Sequence, residues 1–128
     1  MHEMSFASAM LNSILESIKR EEENKNIKIK KVKKIYLEIG ELTFINLEQL
    51  KFAFEVIAEN TICKNAEIIA KYIKPKCKCL KCGYEGEPVV EDILVYCPKC
   101  KSISLKLTGG KDFNISKVEI DYETNTSN

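Results

Sequence analysis

Cys77-Lys78-Cys79-Leu80-Lys81-Cys82, then Cys97-Pro98-Lys99-Cys100, are the residues that decide the fold. Cys79-x-x-Cys82 and Cys97-x-x-Cys100 are separated by fourteen residues. Each C-x-x-C is a two-sulfur bite that a tight turn aims at one ion, and two such knuckles close a tetrahedral four-thiolate zinc site. Gly83 follows the first pair and is free to take positive φ, while Pro98 stiffens the second. A disulfide framework fits poorly, because the rest of the chain has enough apolar sequence for a core. A redox pair fits poorly too, since neither C-x-x-C opens a helix after a strand. An iron–sulfur cluster also takes four thiolates, but two short knuckles at this separation favour zinc. Cys77 leaves one sulfur open, because Cys77 and Cys82 make a competing C-x4-C pair. Cys79 is the preferred ligand, and Cys77 a spare thiol. Cys63 reads as a small core residue.

Outward from the knuckles, the pattern is α+β. Ala7, Met10, Leu11, Ile14, Leu15 and Ile18 make one helical stripe, predicting a helix over 5–23 with Ser5 as N-cap. Residues 24–34 are rich in Lys and Asn and read as a solvated loop running into a strand. Residues 33–40 alternate, with Ile35, Leu37 and Ile39 on one face and Tyr36 and Glu38 on the other; Gly40 ends the strand. A second helix is expected over 47–59, with Leu47, Leu50, Phe54, Ile57 and Ala58 on one face. Asn46 and Gln49 form a capping-box pattern at its start. Residues 66–73 read as a second strand stopped by Pro75, and Gly109-Gly110 as a turn. Residues 112–122 read as a last strand whose phase flips near Ser116-Lys117, as at a β-bulge.

This predicts a sheet of about three strands packed by two helices, with a zinc-ribbon-like four-cysteine domain inserted. Its main domain is residues 1–74 plus 109–122, and its insert is residues 75–108. The insert is too short to fold by apolar burial alone, so metal supplies much of its folding energy. Residues 123–128 read as a disordered polar tail.

Composition narrows the function. Twenty Lys+Arg against nineteen Asp+Glu in 128 residues leave a formal charge of +1. A protein gripping nucleic acid over a wide surface needs a basic excess. Residues 75–107 carry six Lys and four acidic residues, which four thiolates and one Zn²⁺ bring to about zero. Tyr84 and Tyr96 alone offer bases little to stack on. No apolar run reaches about 18 residues, so no membrane helix is expected. The N-terminus lacks a basic region before its apolar stretch, so no secretory signal is expected and the reading is cytoplasmic. A metal-dependent hydrolase needs an open metal position, and four thiolates close this one. No enzyme activity is expected.

The one histidine is His2, in Met1-His2-Glu3. Met1 is expected to be retained, because His is too large for initiator-Met removal. Its amine, the His2 backbone nitrogen and the imidazole can close fused chelate rings in one plane, an array suited to Ni²⁺ or Cu²⁺. On chemistry alone that signal is weak: a His at position 2 is more often a frayed terminal residue, and the chain then reads as a zinc-stapled adaptor.

Together these residues resemble a known family. Met1-His2-Glu3-Met4-Ser5 before an amphipathic helix is similar to the start of the HypA/HybF family of hydrogenase nickel-incorporation proteins. So are Leu37-Glu38-Ile39-Gly40-Glu41-Leu42, Leu50-Lys51-Phe52-Ala53-Phe54-Glu55 and the paired knuckles. The resemblance implies a nickel metallochaperone for [NiFe]-hydrogenase maturation, with transient Ni(II) and structural Zn(II). It implies His2 as nickel ligand, with main-chain nitrogens from Met1 and Glu3, and Cys79, Cys82, Cys97 and Cys100 as zinc ligands. It implies the GTPase HypB and the hydrogenase large-subunit precursor as partners, while composition argues for neither nucleic acid nor membrane. Two features depart from the pattern. Cys77 adds a thiol beside the first knuckle, and no histidine stands near the knuckles, where some relatives carry one.

Overall fold

A computed structural model describes residues 3–124. The elements are α1 (Glu3–Lys25), β1 (Ile27–Gly40), a 3₁₀ turn (Glu41–Thr43), α2 (Leu47–Ile57) and β2 (Glu67–Ile73). There follow β3 (Lys76–Cys79), β4 (Glu85–Gly86), β5 (Val89–Glu91), β6 (Leu94–Tyr96), β7 (Leu105–Gly109) and β8 (Phe113–Thr124). The chain divides into two compact units: Met1–Leu37, Ile45–Ile69 and Ile115–Asn128 in the first, Glu38–Phe44 and Ala70–Asn114 in the second.

The expected three-stranded sheet is present, in the order β2-β1-β8. In the first unit α1 packs against α2. Ala7, Met10, Leu11, Ile14 and Ile18 of α1 are buried with Leu50, Ala53 and Phe54 of α2. Ile29, Val32, Ile35 and Leu37 of β1 complete the core, together with Cys63 at 1% exposure, as expected of a small core residue.

Element boundaries correct the sequence reading. Helix α1 begins at Glu3, so Ser5 lies inside it and is no cap. An acidic residue in a first turn suits the positive end of the helix dipole. The helix ends at Lys25, and Asn26 after it, at φ +51°, is the left-handed terminator that Asn tolerates. The expected loop over 24–34 is also displaced, because β1 starts at Ile27. The lysines of this stretch face solvent while Ile29 and Val32 face the core, and exposure on both Lys30 and Lys31 resets the alternation.

Helix α2 is capped as anticipated: the Asn46 side chain accepts from the Gln49 amide at 3.0 Å. It stops at Ile57, two residues early. In β8, Ser116 and Lys117 are both exposed, which breaks the alternation where the sequence does.

The second unit contains a sheet in the order β4-β3-β7 and the hairpin β5-β6. Strand β3 pairs antiparallel with β7, placing Cys77 opposite Leu107 and Cys79 opposite Leu105. Gly40, Gly110 and Pro75 meet at a crossing without room for side chains. A Cβ on Gly40 would lie 2.3 Å from the Gly110 carbonyl carbon, and one on Gly110 would lie 2.5 Å from Pro75 Cα. The Gly40 and Leu42 amides donate to Asp112 and Gly110 carbonyls, both at 2.8 Å.

Candidate metal centre

The two knuckles are built alike. In the first, the Gly83 amide donates to the Cys79 carbonyl at 3.0 Å and the Cys79 amide to the Tyr84 carbonyl at 2.7 Å. In the second, the Lys101 amide donates to the Cys97 carbonyl at 2.9 Å and the Cys97 amide to the Ser102 carbonyl at 2.9 Å. Each turn needs positive φ just after its second cysteine. Gly83 supplies +81° and Lys101 supplies +63°. A backbone N–H also points at the first sulfur of each turn: Cys82 to Cys79 Sγ and Lys99 to Cys97 Sγ, both at 3.4 Å. Such bonds favour thiolate over thiol.

The Leu80 amide donates to the Ser104 carbonyl at 2.9 Å, tying the knuckles together. All four sulfurs lie within 4.8 Å of one another. The short approaches run between knuckles, Cys79 to Cys100 and Cys82 to Cys97, each 3.6 Å. A tetrahedron of thiolates about 2.3 Å from zinc has edges of about 3.8 Å. A disulfide needs about 2.05 Å, and all four cysteines are free. The donor set therefore fits a closed tetrahedral zinc site, with Cys79 and Cys97 buried and Cys82 and Cys100 exposed. Cys77 is buried and is not one of the four gathered sulfurs.

The site's electrostatics call for a cation. The Cys82 amide, helped by that of Lys81, draws the Cys79 thiol down to about 6. The Tyr84 amide also favours the Cys82 thiolate, but desolvation and the bonds to Cys97, Cys79 and Cys100 outweigh it and push that thiol up to about 12. Desolvation opposes ionisation of Cys97, yet the Cys100 and Lys99 amides hold it below the usual thiol range. Four thiolates this close cannot all ionise without a positive charge among them, so a metal entering the site displaces protons. The Lys99 ammonium lies 5.8 Å from the Tyr84 ring centre, on the surface beside the knuckles.

At the N-terminus, Met1 and His2 lie outside the described residues. Glu3 is buried, and its carboxylate Oε2 accepts from the Asn46 amide at 3.0 Å. That bond, first among the causes, holds the Glu3 carboxyl at about 2. Asn46 thus anchors the first residue of α1 with its backbone and caps α2 with its side chain. Reading Glu3 for its main-chain nitrogen alone missed this bond. Its partner is 43 residues away, and nothing local signals it.

Fold and site together define a small α+β metal-binding protein with a zinc-ribbon-like four-cysteine centre. A family model described as "Hydrogenase/urease nickel incorporation, metallochaperone, hypA" matches residues 1–120, and the chain belongs to this HypA family. The hydrogenase maturation factor HypA of Methanocaldococcus jannaschii is 67% identical over 124 residues, which cover 96% of this chain and 99% of that protein. That of Methanococcus aeolicus is 52% identical with the same coverage. The solution structure of the Ni metallochaperone HypA from Helicobacter pylori matches with a TM-score of 0.63 at 25% identity, covering 94% of this chain and 97% of that one. The family is one of nickel incorporation in hydrogenase maturation, and among the described residues no helix is long and apolar enough to cross a membrane.

Proposed function

We propose that this chain binds Ni²⁺ at its N-terminus and delivers it during maturation of [NiFe]-hydrogenase. The observation that carries this reading is the family match, which begins at residue 1 and so takes in Met1-His2-Glu3. The Met1 amine, the His2 backbone nitrogen and imidazole, and the Glu3 nitrogen form the planar donor set, and the Glu3–Asn46 bond ties down the third residue of that set. Nickel is cargo here. A terminal chelate with few pre-organised ligands holds it and lets it pass on.

Cys79, Cys82, Cys97 and Cys100 hold structural Zn²⁺. Residues 75–108 form a metal-stapled insert in a nickel domain of residues 1–74 and 109–122, since β2 before it and β8 after it belong to one sheet. The GTPase HypB and the hydrogenase large-subunit precursor are the partners, and the cytoplasm is the compartment.

Calorimetric titration of tag-free protein with Ni²⁺, beside His2→Ala and with zinc counted in both, tests this. One nickel per chain, lost in His2→Ala while zinc stays at one, is expected. Binding should weaken as pH falls below about 6.5, as imidazole and amine take up protons. Cu²⁺ should compete, being the stronger ion for nitrogen donors. Equal nickel binding in both proteins, or none in either, would leave a zinc-stapled adaptor as the better description.

A further inference from the structure

Helix α2 has two apolar sides. One faces the core through Leu50, Ala53 and Phe54. The other faces solvent: Phe52 and Val56, one turn apart, keep 69% and 53% exposure. Residues at i and i+4 lie together on a helix surface, so they form a single exposed ridge. A cleft of about 400 Å³ runs beside them, between α2 and the segment before β2. Phe54, Cys63 and Ile68 line it, and Lys51, Glu55 and Glu67 rim it. Lys51 and Glu55 adjoin Phe52 and Val56 on the helix, so ridge and cleft form one continuous surface within the first unit.

The charge of this surface selects its occupant. Glu48, Glu55, Glu59 and Glu67 stand against Lys51 and Lys64, and Lys64 is held by Glu59 at 3.3 Å. The region is acidic although the whole chain is formally +1. An apolar centre with an exposed aromatic anchor and a charged rim is the anatomy of a protein–protein contact. A second copy meeting this face through a two-fold axis would set carboxylates against carboxylates, and an anionic surface would be repelled.

We infer that this face docks a basic amphipathic segment of a protein partner. The partner's apolar side chains cover Phe52 and Val56 and enter the cleft, and its Lys or Arg residues pair with Glu55 and Glu67. None of these residues belongs to either proposed metal site, so the inference does not rest on nickel binding.

The test is amide NMR on the full metal-loaded chain, titrated with two synthetic helical peptides. Both carry leucine on one face; one has lysine and the other glutamate at the remaining positions. The lysine peptide is expected to shift amides of α2 and of residues 63–68. Its binding should weaken at raised salt and by about tenfold or more in Phe52→Ala. The double variant Glu55→Lys, Glu67→Lys should lose the lysine peptide and gain the glutamate one. All three side chains substituted are on the surface or the rim, and unchanged amide spectra elsewhere confirm that the variants fold. Equal binding of both peptides, shifts confined to another face, or variants that bind as the parent does would overturn the inference. So would concentration-dependent shifts of these amides without peptide, which would assign the face to a second copy.

Discussion

Gly83 and Lys101 occupy equivalent places in the two knuckles, yet only one is the residue such a turn prefers. A Cβ added at Gly83 would meet nothing within 4 Å, so Gly83→Ala tests the backbone alone. It should destabilise the metal-loaded protein by about 1 kcal/mol, the cost of placing an L-residue in the left-handed region. Lys101→Gly should recover a similar amount. Thermal unfolding of the two variants checks both signs. Gly83 was legible in the sequence because glycine announces positive φ; Lys101 was not, because the hydrogen bonds of the knuckle impose that conformation on a residue with no turn signal. A second prediction concerns Tyr36, whose hydroxyl donates to Glu119 Oε2 at 2.5 Å while the Lys117 ammonium sits 4.6 Å from its ring centre. The Tyr36 hydroxyl, ahead of the nearby lysines, holds the Glu119 carboxyl below its ordinary value of 4.5. The folded state therefore gains stability that is fully present above about pH 4.5 and is lost as pH falls through the lowered value. In Tyr36→Phe the acid limb of a stability–pH curve should flatten over that window, while the two proteins keep a constant difference above it.

Strand β1 shows where an element hides from its own sequence. Ile35, Leu37 and Ile39 stand in strict alternation, and all three are buried as read. Before them, the lysines of Ile27–Lys34 outnumber the apolar residues, and the exposed pair Lys30-Lys31 breaks the period of two. Composition there says solvent, but Ile29 at 4% and Val32 at 1% exposure say core. The Glu22 carboxylate accepts the Ile29 amide at 2.9 Å, a bond between elements that no local pattern reveals. Ile29→Ala should cost about 2–4 kcal/mol, as truncation of a buried aliphatic does, where a solvated loop would lose almost nothing. Urea unfolding distinguishes the two. Helix α2, by contrast, was readable from its cap inward, because Asn46 and Gln49 act within one turn.

At the scale of the whole molecule, the paired knuckles were legible in the sequence, but spacing left Cys77 in competition with Cys79, and only the fold separates them by gathering Cys79 with the other three sulfurs. The exposed Phe52–Val56 ridge was not, because periodicity only reports which residues could face inward. If zinc holds the knuckles, a chelator should strip protection from the amides of β3, β4 and β7 in hydrogen exchange while those of α1 and α2 keep theirs. Structural zinc contributes on the order of 10 kcal/mol to a small module of this kind, more than its apolar burial supplies. Uniform protection with and without chelator would show that the module needs no ion.

The order β2-β1-β8 carries a consequence for how the chain reaches this state. The central strand is made early and one of its neighbours last, and Tyr36 meets Glu119 across 83 residues of chain. Contacts so distant in sequence dominate the time a domain takes to fold. A nascent chain holds β1 with one flank open until β8 leaves the ribosome, and everything between must first be spooled into a loop. An ion that cross-links the knuckles early shortens that loop and lowers the entropy lost in closing it. If zinc is that ion, metal supply during translation sets how soon this loop is shortened, as well as how stable the finished protein is.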